Sequence, residues 1–272
     1  VRVRGDSRTH WEDKKKSWRV KFPKDKLFRG MRQINLIIPE DRGWMAEPMA
    51  HYRAGKLGLI QTPMRFVQVS LNGSGPLLYL EIEHWTKEML EKQGLSGDAN
   101  FYKTSFAAPV FQDVAYWEKY ENSVVRPLDS LEEMELLRSI AQKGARYSPG
   151  FEDRVRRLFT EQELLDWYMV ILLAGSTHIG EGDNLHFYFD PVIGKLRPIP
   201  WDIHLFPPSP PLITKLGVLL REIVSMPEWY LKSQKQLYAY LEEHAEDDLE
   251  MAATLRRDIE RAAYRDRHKI MS

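Results

Sequence analysis

The residues of this chain best suited to chemistry crowd into Ser176 to His204, STHIGEGDNLHFYFDPVIGKLRPIPWDIH. The stretch opens on a polar, glycine-broken loop with His178, Glu181, Asp183 and Asn184, and it closes on Pro200-Trp201-Asp202 before Ile203-His204. Amide and carboxylate oxygens suit a hard divalent cation such as Mg2+, which prefers oxygen donors and keeps part of its water shell. Between the two ends, Leu185 to Phe189 reads as a strand with a wet and a dry side. A turn spans Asp190-Pro191 to Gly194, and Leu196 to Ile199 makes a second short segment. Two strands joined this way bring the loop before the first close to the residues after the second. The spacing therefore predicts that Asn184 and Asp202 face one small volume. A polar hairpin whose Asp and Asn only shape turns fits the same local pattern.

Two other sets of side chains invite a chemical reading. His178, His186 and His204, with Asp183 and Asp202, have the donor types of a transition-metal hydrolase. None of these histidines sits in a helical His-x-x-x-His frame, and His186 lies on an alternating strand where one neighbour in two faces away. Near the start of the chain, Arg4, Lys15, Lys16 and Arg19 flank an opening hairpin and could reach over an anionic ligand. A hairpin edge kept soluble by lysine accounts for the same charges.

The elements that must position these residues follow from pattern. Val1 to Arg4 and Ser17 to Phe22 alternate on either side of a polar loop, which predicts a strand, loop, strand unit. Ile34 to Ile38 reads as a buried strand, and Met45 to Leu57 as a helix stopped by Gly58. Phe66 to Leu71 and Leu77 to Ile82 flank Asn72-Gly73, a strong hairpin signal. Trp85 to Lys92 turns helical, and Phe101-Tyr102-Lys103 is a further short strand. From about residue 106 the pattern is helical. Ser130 with Glu133 and Thr160 with Glu163 both fit a capping box. The second opens a helix over Glu161 to Ala174 with a broad apolar face, delivering the chain into the polar loop at Ser176. A rigid connection over Pro207 to Pro211 precedes helices predicted over Lys215 to Val224, Glu228 to Glu243 and Asp247 to about Arg267. The fold class is α+β, with a sheet-rich part over 1–105 and a helical part over 106–272.

Composition narrows the function classes. At 272 residues the chain can bury a full core. Lys and Arg number 39, as do Asp and Glu, so no bulk field calls for nucleic acid or an anionic membrane. The absence of cysteine removes disulfides, thiolate catalysis and zinc–thiolate sites. The longest apolar run, Trp167 to Gly175, is too short to span a bilayer. The chain starts at Val1 inside a strand-like pattern without an initiator Met, and a longer precursor is expected.

Several short motifs, in order, carry a resemblance. Arg4-Gly5-Asp6-Ser7, then Lys15-Lys16-Ser17 and the strand to Phe22, is similar to the opening RGxS…KKS pattern of the spore coat protein H (CotH) kinases, atypical protein kinases of the secretory pathway. Val69 to Glu83, VSLNGSGPLLYLEIE, resembles that family's strand, Asn-Gly turn, strand and Glu. Phe101-Tyr102-Lys103 resembles its Tyr-Lys, and Pro200-Trp201-Asp202 its Pro-Trp-Asp. The resemblance covers most of the chain. It implies an atypical kinase-like fold of two lobes binding ATP with Mg2+ or Mn2+, and transfer of the γ-phosphate to a Ser or Thr hydroxyl of a protein. It also implies an extracytoplasmic or cell-envelope setting.

That resemblance assigns roles to particular residues. Phosphoryl transfer is mostly positioning and electrostatics. Asp202 would hold metal against the β- and γ-phosphates, with Asn184 as a second metal contact. Lys103 would contact phosphate, held by Glu83, as the kinase template fixes a lysine with a glutamate. Arg4, Lys16 and Arg19 are further phosphate candidates. The template places a catalytic Asp five residues before the metal-binding Asn; here that residue is Ile179. His178 stands one residue earlier, Asp183 precedes Asn184 directly, and His204 follows Asp202 where the family often carries an acid. The base is then His178, or Asp183 or Glu181 in a shifted loop, or the chain is a silent relative that only binds nucleotide.

Overall fold

A computed structural model describes residues 1–5, 10–12, 14–98, 100–104, 117–119, 132–176, 178, 184–203 and 217–268. The architecture is mixed α+β, built on two antiparallel sheets. The first has the order β1-β2-β3-β5-β4, from β1 (Arg2–Val3), β2 (Trp18–Lys21), β3 (Gln33–Ile37), β4 (Met64–Val69) and β5 (Leu77–Glu83). The hairpin expected around Asn72-Gly73 joins β4 and β5, with Val69 opposite Leu77 and left-handed backbone at both Asn72 and Gly73. The helix expected after β3 is α1 (Ala46–Lys56), and Thr86 caps α2 (Lys87–Glu91) by accepting a hydrogen bond from the Met89 amide at 3.3 Å.

The second sheet has the order β7-β6-β8-β9, from β6 (Asn100–Thr104), β7 (Trp117–Lys119), β8 (His186–Asp190) and β9 (Lys195–Pro198). β8 and β9 are the hairpin read from the sequence, with Phe187 opposite Pro198 and Asp190 opposite Lys195. β6 pairs with β8, Lys103 lying opposite His186, so this sheet draws on residues far apart along the chain.

Helices α3 (Glu132–Ile140), α4 (Phe151–Leu158), α5 (Glu161–Ala174), α6 (Val218–Val224) and α7 (Pro227–Arg265) complete the fold. α5 is apolar nearly all round and buried from Leu164 to Ile171, which its sequence dictates. It packs on α1 and α7 over a core that includes Ala50, Ala54, Val155, Trp167, Phe187 and Trp229. A second cluster joins the two sheets: Ile37, Leu80, Ile82 and Trp85 from the first meet Phe101, Tyr188, Ile199 and Trp201 from the second.

Two local expectations are corrected. Thr160 makes no side-chain cap on α5, because Glu163 reaches instead to Arg197 of β9, at 2.6 and 2.7 Å. The other expected cap, at Ser130, lies outside the described residues. The two helices expected after Pro227 are one helix of 39 residues. The intervening His244-Ala245-Glu246 contains neither glycine nor proline, so nothing in the chain stops the helix there.

Candidate functional site

Asp202 is delivered by the exit of β9. The ladder runs one bond past the strands, from the Ile199 amide to the His186 carbonyl at 2.9 Å, bringing Asn184 and the Trp201-Asp202 step to the same end of the hairpin. Trp201, buried, is wedged edge-on against Trp85 at 4.6 Å, and this indole pair fixes the peptide leading to Asp202. Asp202 itself has φ 56°, left-handed backbone that a non-glycine residue adopts at a cost, and such positions cluster at functional sites.

The groups that hold this conformation come from the first part of the chain. Glu47, fully buried in the first turn of α1, accepts the Asp202 amide at 2.8 Å. Arg42 ends the 3-10 turn Pro39–Arg42 and is buried to 2% exposure. Its Nη1 meets Glu47 Oε2 at 3.1 Å and Asp202 Oδ1 in close contact, while its guanidinium lies 5.2 Å over the Trp201 ring. His51, one turn along α1, places Nε2 3.7 Å from the other Glu47 oxygen, and the Thr62 hydroxyl is 3.3 Å from its Nδ1. A buried arginine between two carboxylates is the arrangement that offsets the loss of hydration of all three.

On the other side of Asp202, His178 places Nε2 3.3 Å from Oδ2. The His178 amide donates to the Ser176 hydroxyl at 3.3 Å, and Ser176 is fully buried at the end of α5, so the helix sets the imidazole's position. The Asp202 carboxylate thus has a guanidinium on one oxygen and an imidazole on the other. Asn184 is buried just before β8. Asp183, Glu181 and His204 lie outside the described residues.

The remaining candidates divide. Arg4 lies 6.0 Å over the Trp201 ring, and the Arg19 Nε donates to Asn35 Oδ1 at 3.0 Å, so both face the second sheet. Lys103 is half-buried on β6. The pair expected between Glu83 and Lys103 is made by Lys92 instead, whose Nζ is 2.6 Å from both Glu83 oxygens. Strand parity explains the exchange: Ile82 faces the cluster shared with Phe101, so Glu83 faces away from it, alongside Ile34 of β3. Burial pushes the Glu83 carboxyl above its ordinary value, and Lys92 holds it back. Lys16 donates to the Trp11 carbonyl of its own loop. Lys15 is turned inward, 2.7 Å from Asp266 at the end of α7.

His186 packs at a tilt against Trp85, with ring centroids 3.9 Å apart. Burial lowers its affinity for a proton well below the ordinary histidine range, and Lys103, Arg42 and Arg4 act in the same direction. His84 is neutral for the same reasons, with burial first and Arg19 and Arg4 next. Among the described residues no group of three His, Cys, Asp or Glu is placed to hold a metal ion. The expected three-histidine hydrolase site is thus not assembled by its described members, since His186 is packed between indoles. Beyond His84, the same sheet face opens into a pocket of about 300 Å³ lined by Val1, Arg2, Arg19, Lys21 and Gln33.

Sequence reasoning missed Arg42, Glu47 and His51. The one available signal was Glu47 and His51 one helical turn apart at the start of a helix.

A family model described as CotH kinase protein matches residues 1–206. Inner spore coat protein H of Bacillus subtilis (strain 168) is 33% identical over 90 residues, which is 33% of this chain and 25% of that protein. The match therefore spans about a quarter of that relative's length. No helix among the described residues is long and apolar enough to cross a membrane.

Proposed function

This chain belongs to the CotH kinase protein family, and from that premise we propose that it is an atypical kinase of two lobes that transfers the γ-phosphate of ATP to a Ser or Thr hydroxyl of a protein. The observation that carries the reading is Asp202, a carboxylate held in left-handed backbone where the two sheets meet, with the Arg42 guanidinium on one oxygen and the His178 imidazole on the other. Asp202 and Asn184 would hold a Mg2+ or Mn2+ ion that keeps part of its water, one through a carboxylate and the other through an amide oxygen. Such an ion, when bound, supplies neutralisation of the β- and γ-phosphate charge.

The chain's own residues do the rest. Arg42 and Glu47 fix the Asp202 peptide, and where Asp202 held an ion the Arg42 guanidinium would supply positive charge for phosphate oxygens. Arg4, Arg19 and Lys103 supply positive charge along the same face, with Lys16 in the adjoining loop. His178, against Asp202 Oδ2, is the described group suited to take the acceptor hydroxyl's proton, and Asp183 is the alternative from the same loop. The coat protein relative supports an envelope or coat setting for the substrate.

Incubation with γ-labelled ATP and a generic protein acceptor tests this. Asp202→Ala should lower incorporation by about a hundredfold or more, and His178→Ala by a similar factor if it is the base. Equal loss in Asp202→Ala with full activity in His178→Ala moves the base to Asp183. Two observations favour a silent nucleotide-binding relative as the second reading: Ile179 occupies the usual position of the base, and Arg42 already neutralises Asp202. Saturable ATP binding without any label transfer from the wild-type chain would establish that reading and remove the first.

A further inference from the structure

The open face of the first sheet beyond His84 carries several cations and a buried amide donor. Arg2 and Arg19 are directly opposite each other across β1 and β2, and Lys21 lies two residues on, on the same face. Like charges facing one another across an antiparallel pair destabilise it unless an anion lies between them. Among the described residues no carboxylate pairs with Arg2 or Lys21. Gln33, opposite Lys21, is 2% exposed, and its Nε2 has no acceptor among the described residues. These four side chains line the same pocket of about 300 Å³. A buried amide N–H without an acceptor is costly, so a ligand that accepts there has a built advantage.

We propose that this pocket binds an oxyanion of the phosphate class, with Arg2, Arg19 and Lys21 supplying charge and the Gln33 Nε2 donating one hydrogen bond. The donors present are those that recognise tetrahedral oxyanions, a forked guanidinium, an ammonium and an amide. The lining side chains include no carboxylate, which disfavours a cation there. Arg19 is shared with the proposed phosphoryl-transfer site, whereas Arg2, Lys21 and Gln33 have no part in that reading and carry the inference on their own. Its opposite face, Trp18 and Val20, packs on a separate apolar cluster, so substitutions at Arg2 and Lys21 leave the core intact.

The test is titration calorimetry of the full chain in metal-free, low-salt buffer, with inorganic phosphate in one arm and ATP in the other. Saturable binding of at least one is expected, weakened by about tenfold or more in Arg2→Gln/Lys21→Gln and by a similar factor in Gln33→Leu. Asp202→Ala should bind the same anion as the wild type, which separates this pocket from the phosphoryl-transfer site. Phosphate and ATP binding alike assigns the site to a lone phosphate group, and ATP alone assigns it to the polyphosphate of a nucleotide. Absence of saturable binding in both arms, or affinity unchanged in the double variant and in Gln33→Leu, overturns the proposal.

Discussion

Arg42 ties Glu47 and Asp202 together from a position where water scarcely reaches. Removing one member of a buried charge network leaves the others uncompensated, so Arg42→Ala should destabilise the protein by about 3–5 kcal/mol. Arg42→Lys should recover little, because an ammonium is a single point and cannot span two carboxylates and lie flat on Trp201. Urea unfolding of both variants checks this, and a fully stable lysine variant would contradict it. Asp166 makes a second, opposite case. Burial raises its carboxyl from 3.8 to about 6, although Gln162 and Gln236 both donate to Oδ1. The folded state therefore holds this proton more tightly than the unfolded chain, and stability falls as pH rises from about 4 to 6. Above that window the burden is about 3 kcal/mol. Asp166→Asn should thus be more stable than the wild type near pH 8 and lose that advantage near pH 4, read from denaturation midpoints at both pH values. The two residues also mark what a sequence shows at this scale. Asp202 stood out because its neighbours, proline and tryptophan, announce a fixed turn. Arg42 did not, since its partners come from 5 and 160 positions away and nothing in Pro-Glu-Asp-Arg distinguishes a buried guanidinium from a solvated one.

At the scale of elements, helix α7 decides more than its sequence announces. Its charges at three- and four-residue spacing read as an exposed surface, and much of it is, yet Asp248 receives Arg53 of α1 at 2.7 Å and the Tyr240 hydroxyl at 3.1 Å. At its far end Asp266 accepts from Lys15 at 2.7 Å, from the Leu78 amide of β5 at 2.9 Å and from the His268 amide at 2.9 Å. Burial alone would push the Asp266 carboxyl up, but Lys15 and the two amides outweigh it and hold it below its ordinary value. Its contribution is present above pH 3.8 and is lost as pH falls through the lower, folded value. Asp266→Ala should destabilise by about 3–5 kcal/mol and should increase hydrogen exchange at Leu78 more than at α4, which exchange mass spectrometry resolves. Ala245→Pro should interrupt the helix at a cost of about 3 kcal/mol and reproduce that local exchange pattern. No residue near 245 ends the helix, because only backbone geometry or a competing cap does so. Strand β8 was legible because a period of two and a turn bracket it, whereas β7 and α4 had no comparable flanking signal.

Across the whole molecule, the sheets are not stacked in chain order. β6 joins a sheet completed by residues more than eighty positions later, and the cluster around Trp85 and Trp201 bonds that sheet to the first. Trp201→Ala should therefore loosen both sheets at once, at about 3–5 kcal/mol, and near-ultraviolet dichroism and urea unfolding should report one shared transition. Two separate transitions would show the sheets to be independent. This interleaving is why the α+β class could be read from local pattern while the partnership of the sheets could not: pairing across such distances is chosen by burial, not by neighbours.

Lys15 and Asp266 stand 251 residues apart. A ribosome adding about 5–20 residues per second needs roughly ten to fifty seconds to cover that interval. For most of that time the opening strands are outside the tunnel, carrying a lysine that is buried in the folded protein and whose counter-charge has not been made. The hairpin of β1 and β2 is thus synthesised well before the helix end that secures it, and a nascent chain halted short of Asp266 would hold those strands exposed for a chaperone or a protease to find.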